Sequence, residues 1–449
     1  MVRDKSFYKT LVRLAAPAAL QGFISLLVNQ ADTVMVSSLG DAALAGVAQS
    51  NSATAFFTAA VSGMASGSSV LVAQYWGRKD NERIRRIFAM VAMLCAGIAL
   101  AAVGAIQAWP RWLLGRFTDN PGVLDAGLPY FRIVAASYLP FALSTALIVM
   151  LRSVEAVNVT LYTTAAALVT NVGLNYVLIF GKLGMPALGV TGAALATVIS
   201  RFIELGIVWW YLFHKQRRLQ IKPSDLTRGD ALLWRDYVKF GMPVGLGDLQ
   251  WALVGVGKAA IIGRLGSTMI VANTVTTGLM ELGRVFSSSL TIGACVMIGM
   301  TVGQKDYRKT REYSNTIQVL FVFVGCVMAL MVYLLRGPYA SLYGNISDEA
   351  RRLANTLISI GALTLIGTTY HASCFIGINR GAGDSRFVFV VDMICGWLVV
   401  LPLSALAAFV WRWPLPMVFL CIYIDQCFKW LIAFIRLRGN KWIRNVTRE

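Results

Sequence analysis

Charge is scarce in this chain. Asp, Glu, Lys and Arg make up 14% of its 449 residues, against roughly 25% in an ordinary soluble domain. With 57% hydrophobic residues, the chain needs a solvent other than water, and a bilayer is the natural one. Cysteine patterning is lacking as well. Cys95, Cys295, Cys326, Cys374, Cys395, Cys421 and Cys427 all fall in apolar runs with no CxxC pair, so neither a disulfide framework nor a metal site is expected. There is no GxxxxGK[ST] phosphate loop, which disfavours ATP-driven work by this chain alone. No Ser–His–acid arrangement stands out, and the chain is not read as an enzyme. The opening MVRDKSFYKTLVR lacks a short apolar core with a small-residue cleavage pattern, so no cleaved signal peptide is expected.

What is present is length of apolar sequence. Twelve runs lie near 10–37, 45–76, 87–109, 127–151, 159–181, 187–213, 238–263, 270–303, 313–335, 353–378, 387–410 and 413–435. Each is long enough for a transmembrane helix and far longer than the ~10-residue alternating strands of a membrane barrel. The expected fold class is therefore all-α and integral to the membrane, with twelve spans.

The net charge of +19 admits a nucleic-acid partner or a membrane bias. The basic residues sit in short loops between apolar runs, not in one soluble block, which excludes the first. They cluster at the N-terminus, after the second run (Arg78, Lys79, Arg83, Arg85, Arg86), from Lys215 to Lys239, after the eighth run (Lys305, Arg308, Lys309, Arg311) and in the tail. All these places lie on one side if the runs alternate, so both termini are placed in the cytoplasm. The plasma (inner) membrane is the expected location, with a six-helix lobe at 1–214, a basic linker at 215–239 and a second six-helix lobe at 240–449.

The halves repeat. Residues 17–40, PAALQGFISLLVNQADTVMVSSLG, and 243–266, PVGLGDLQWALVGVGKAAIIGRLG, both begin in Pro and end in Leu-Gly, 226 residues apart. Near the ends of the second and eighth runs, Gln74 pairs with Gln304 at a spacing of 230. LRSVEAVN echoes INRGAGDSR, with Arg152 and Arg380 separated by 228. Six spans separate each pair, so both halves cross in the same direction. Parallel repeats of this kind typify transporters that rock one half against the other.

NQADTVMVSSLGDAALAGV, VAQYWGRKD, KLGMPALGVTGAALAT, VGQKD and NRGAGDSR, in this order and spacing, resemble the bacterial multidrug and toxic compound extrusion (MATE) family over nearly the whole chain. The resemblance implies two pseudo-symmetric six-helix bundles around a central cavity. It also implies export of small organic molecules, cationic or amphipathic, in exchange for H⁺ or Na⁺, with no cofactor.

Deep polar residues are the candidate sites, because a charge at the bilayer centre costs about 2.5–3.5 kcal/mol on insertion scales. Asp32, near the centre of the first run, can hold a proton or Na⁺; the resemblance implies that it is a coupling-ion residue. Asn171 and Asn175 share a helical face and either assist an ion or act as amide glue between helices. Some relatives carry an Asp at the second of these positions, and Asn175 departs from that pattern. Thr197 matches a family Thr near the same site. Lys258 occupies the repeat position of Asp32. It has three open roles: drawing an anionic substrate group, pairing with Asp248, or competing with a cation for Asp32. Gln30, Tyr138, Trp251, Asp248 and His371 complete the expected cavity set, with Gln21, Phe56, Tyr162 and Tyr176 as further candidates. Glu281 and Arg284 are read as a helical ion pair, Asp384 as a helix cap and Asp392 as a secondary acid. The expected partners are a small-molecule substrate and membrane lipid, without nucleic acid, and the expected state is a monomer. A flippase of anionic or lipid-linked metabolites is the rival reading, favoured by Lys258 and Arg284.

Overall fold

The protein is described from a computed structural model. It covers all but residues 1–3, 38, 40, 118–120, 216–229, 344–346, 440 and 448–449, and all but the side chains of 27–34, 37, 41–44 and 267. The described chain is almost entirely helical. In chain order the crossings are α1 (Lys5–Ser37), α2 (Asp41–Gly77), α3 (Asn81–Ala108), the two-part α4 (Pro121–Ala135 and Tyr138–Ser153), α5 (Val157–Phe180), α6 (Val190–Trp210), α7 (Met242–Gly263), α8 (Ser267–Gly303), α9 (Tyr307–Ser341), α10 (Asp348–Ala372), α11 (Ser385–Met393) and α12 (Leu415–Ile422 with Asp425–Arg438). Further helical turns extend α10 to Arg380 and α11 to Val410. Among the described residues, nine crossings are long and apolar enough to span a bilayer as single helices, and the two parts of α4 form a tenth. With α1 and α7 this makes the twelve spans of an all-α membrane protein.

The run at 127–151 reads as one helix in sequence but bends by 52°. Pro140 explains the bend. Its ring has no N–H and collides with the carbonyl four residues earlier, which belongs to Ala136, where the helix breaks. Other spans depart from α geometry by widening. Ser373–Arg380 and Ile394–Val400 are π-helical turns within the tenth and eleventh spans, a form often found at functional sites.

The internal repeat is visible in backbone geometry. Lys79 and Lys305 both have left-handed φ, at 61° and 60°. The following Asp80 and Asp306 cap α3 and α9 by accepting from the amides of Arg83 (3.1 Å) and Lys309 (3.0 Å). These residues are 226 apart, which corrects the pairing of Gln74 with Gln304. Gln304 stands where Arg78 stands, and Gly77 answers Gly303 one residue before. After α4, Glu155 has φ 63°, and 228 residues later Gly383 has φ 89°. The amides of Ala156 (to Leu151, 2.9 Å) and Asp384 (to Asn379, 2.8 Å) close equivalent turns.

The chain folds into two compact units, Leu20–Gly245 and Met1–Ala19 with Leu246–Glu449. In the first, Asp230 at the end of the linker accepts from Arg86 at 2.9 Å, and the Tyr237 hydroxyl donates to the Met64 carbonyl at 2.7 Å. In the second, Phe7 packs edge-on against Tyr313, their ring centroids 4.7 Å apart, and Leu11 lies against Gly293 of α8.

Candidate functional site

Among the described residues the N-terminal unit buries fewer charges than the C-terminal one, chiefly Glu204, paired with Arg201 at 2.6 Å, and Asp236. Asn171 and Asn175 are buried on one face of α5, and the Asn175 amide donates to the Asn171 carbonyl oxygen at 3.3 Å. The one-turn spacing that suggested a shared face therefore places the two carboxamides in contact. Thr197 donates to the backbone of Ala193 on its own helix at 3.0 Å. Tyr138 is buried at the start of the second part of α4, stacked on Phe57 at 4.0 Å with its hydroxyl 2.9 Å from that of Thr54. Arg152 donates to Gln21, which in turn donates to Thr164 at 2.9 Å. Tyr162 and Tyr176 are 69% and 53% exposed. Asp32 and Gln30 lie on α1, but their side chains are outside the described residues.

The C-terminal unit instead carries a dense set of paired charges. Arg380, at the end of the widened tenth span, donates to Asp248 of α7 at 2.9 Å. Asp248 thus has Arg380 as its partner; of the roles left open for Lys258, pairing with Asp248 is not the one seen. Deeper in, Lys429 of α12 is fully buried between Asp392 of α11 at 3.0 Å and Asp425 at 2.9 Å. All three side chains are at most 7% exposed. Taking such charges out of water is costly unless each is closely paired, and here every carboxylate has an ammonium within hydrogen-bond reach.

Trp251 joins this cluster to Lys258. The Lys429 ammonium lies 4.3 Å from the indole centroid and the Lys258 ammonium 5.3 Å; Lys258 is also 5.1 Å from the Tyr423 ring. Those separations are within the range of cation–π attraction, worth about 2 kcal/mol when desolvated. His371 Nδ1 donates to the Gly367 carbonyl at 3.1 Å, and the ring faces the same charges from α10. Gly396 lets α11 approach Val254 of α7, where a Cβ would sit 2.8 Å from that side chain.

Asp384 corrects its reading as a cap. It precedes α11 without bonding the helix amides. It is buried instead, between Arg436 at 2.6 Å and Arg444 at 3.0 Å. Glu281 and Arg284 do pair along α8, at 2.8 Å on an exposed face. Sequence reasoning missed Asp425 and Lys429. The signal was there, since an acid four residues before a lysine inside an apolar run is a same-face ion pair.

Twelve spans in two like halves, with charge concentrated inside one of them, define a membrane transporter by architecture. The family model MatE matches residues 17–177 and again 253–406, one match in each half. The chain belongs to the MatE family of transporters and is not an enzyme. It is 25% identical over 393 residues to a probable multidrug resistance protein NorM of Halalkalibacterium halodurans, covering 85% of this chain and 83% of that protein. To an uncharacterized transporter YisQ of Bacillus subtilis it is 25% identical over 98% of this chain and 96% of the relative. Among solved structures, a MOP superfamily transporter from Pyrococcus furiosus, described as having a binding pocket of reverse polarity that suggests a different function, superposes with a TM-score of 0.87. The identity is 17%, and the match covers 98% and 97% of the two chains. An outward-facing multidrug resistance MATE transporter superposes with a TM-score of 0.86 at 18% identity, over 98% and 97% of the two chains. At these identities the solved structures share the fold.

Proposed function

We propose that this chain exports small organic molecules by antiport with H⁺ or Na⁺, through alternating access of two lobes, 1–214 and 240–449, joined by the linker 215–239. It works as a monomer in the plasma (inner) membrane with both termini in the cytoplasm and needs no cofactor beyond the coupling ion. The observation that carries this reading is the family match in both halves of a twelve-span chain. The relatives named as multidrug resistance proteins support a drug-like substrate, cationic or amphipathic.

Asp32 is the coupling acid in this scheme, with Asn171, Asn175 and Thr197 as neutral oxygen and amide groups of the same lobe. A carboxylate in the membrane releases its cost by taking up a proton or Na⁺. An ion drives transport only by binding one state of the protein better than the other. Asp32 supplies such a difference if its access to the two sides alternates.

Export of an anionic or lipid-linked metabolite is the second reading, favoured by Lys258 on α7. The test uses purified protein in liposomes loaded with ethidium, with a Na⁺ gradient imposed first and a pH gradient second. The expected result is dye movement under one of them, which also identifies the ion. Absence of gradient-driven movement of ethidium and of an anionic dye alike would overturn the antiport reading.

A further inference from the structure

Lys258 differs from the other cations buried in the C-terminal unit. Arg380 and Lys429 each hold a carboxylate at 2.9–3.0 Å. Lys258 is half-buried and, among the described residues, makes no ion pair. Asp425 faces it without pairing: its Oδ2 accepts from Lys429 at 2.9 Å and from Gln426 at 3.0 Å, and its buried Oδ1 has no hydrogen-bond partner among the described residues.

The surroundings of the ammonium carry the argument. Lys258 lies on α7 (Met242–Gly263), and its side chain runs toward the N-terminus of that helix, the direction helical side chains favour. Trp251 is seven residues earlier on the same helical face, and the ammonium reaches back to within 5.3 Å of that ring and 5.1 Å of Tyr423. Two rings from two spans hold an ammonium without neutralising it. Tyr423 stands at the break between the two parts of α12, and interrupted spans of this kind line binding sites in membrane transporters.

We propose that Lys258, Trp251 and Tyr423 form the docking site for the anionic end of an aromatic organic acid. The carboxylate, sulfonate or phosphate accepts from the Lys258 ammonium, and the ligand's ring packs on the indole or phenol. This names the substrate class for the second reading given above, export of an anionic metabolite, and rests on that reading. Lys429, pressed against the same indole at 4.3 Å and anchored by two carboxylates, positions Trp251 rather than meeting the ligand.

The test is equilibrium binding of carboxyfluorescein, an aromatic polycarboxylate, to the intact purified protein in nonionic detergent, with ethidium as the matched aromatic cation. Lys258→Gln is expected to weaken carboxyfluorescein binding by about tenfold or more, while Lys258→Arg keeps it and ethidium is unaffected by either. Trp251→Leu and Tyr423→Leu are expected to weaken the anion less than Lys258→Gln does. Unchanged carboxyfluorescein binding in Lys258→Gln would overturn the proposal, as would an equal loss of both dyes. Absence of carboxyfluorescein binding to the wild type would also overturn it. Phosphatidylglycerol micelles displacing the dye at lower concentration than free organic acids would give the site to a lipid headgroup instead. Gradient-driven ethidium movement in liposomes is read separately, so a failed antiport reading and a failed docking site are distinguishable.

Discussion

Arg152 and Arg380 stand at the same turn of the two units, 228 residues apart, yet one donates to Gln21 and the other to Asp248. The same backbone device, an arginine at the end of a span reaching the opening helix of its half, serves a neutral partner in one unit and an ionic one in the other. The difference continues inward. The N-terminal unit places Asn171 against Asn175, where the C-terminal unit buries Asp392, Lys429 and Asp425 together. A repeated fold thus fixes where polar groups can stand without fixing their charge. Among the described residues the N-terminal unit buries two acids, Glu204, paired with Arg201 at 2.6 Å, and Asp236, while the C-terminal unit buries Asp392, Asp425 and Lys429 as one paired set and leaves Lys258 outside it.

The strongest way to break this comparison is at Lys429. Lys429→Met strands two buried carboxylates, and removing one member of a buried ionic set costs about 3–5 kcal/mol. Thermal unfolding in detergent is expected to show a loss of that order. The triple variant Asp392→Asn, Asp425→Asn, Lys429→Met is expected to recover most of it. A single variant as stable as wild type would mean that the cluster is not the closed ionic set described.

A smaller effect is expected where the halves can be exchanged. Asp248→Asn removes the carboxylate from Arg380 and costs about 1.5–3 kcal/mol, the value of a hydrogen bond to a charged group. Asp248→Gln copies the Arg–Gln pairing of the other half and is expected to lose less. Gln21→Glu copies the ionic pairing into the N-terminal unit and is expected to raise the midpoint of unfolding. If both exchanges are equally destabilising, the two arginines are not equivalent.

The third comparison is at the turn after α4 and its counterpart. Gly383 has φ 89°, and a Cβ there would meet the Arg444 carbonyl at 2.6 Å. Gly383→Ala is expected to cost about 1–2 kcal/mol from the backbone alone, with the tail displaced in addition. Glu155→Gly at φ 63° is expected to be neutral or stabilising by up to about 1 kcal/mol. The same unfolding measurement checks both, and opposite signs are the expected outcome.

The spans were legible because each must exceed the thickness of hydrocarbon, a requirement on composition that needs no knowledge of packing. The bend in α4 was legible only in hindsight, since Pro140 acts on a carbonyl four residues away inside an unbroken apolar run. The repeat was legible in VGQKD against WGRKD, but matching the two glutamines obscured the register that the capping aspartates fix. At the candidate site the sequence marked the lone deep charges, Asp32 and Lys258, and passed over Asp425 and Lys429, which cancel within one turn of α12. Partners such as Asp248 with Arg380, or Asp384 with Arg436, lie over 50 residues apart in sequence. Such pairings follow from which spans pack together, and no local pattern announces them.

The most direct test of the account takes Asp32→Asn and wild type into the same liposomes and measures two fluxes, dye movement under an ion gradient and dye exchange with no gradient. The account predicts that the variant keeps exchange and loses the gradient-driven component. Full gradient-driven movement in Asp32→Asn would contradict it and move ion coupling to the paired charges of the C-terminal unit.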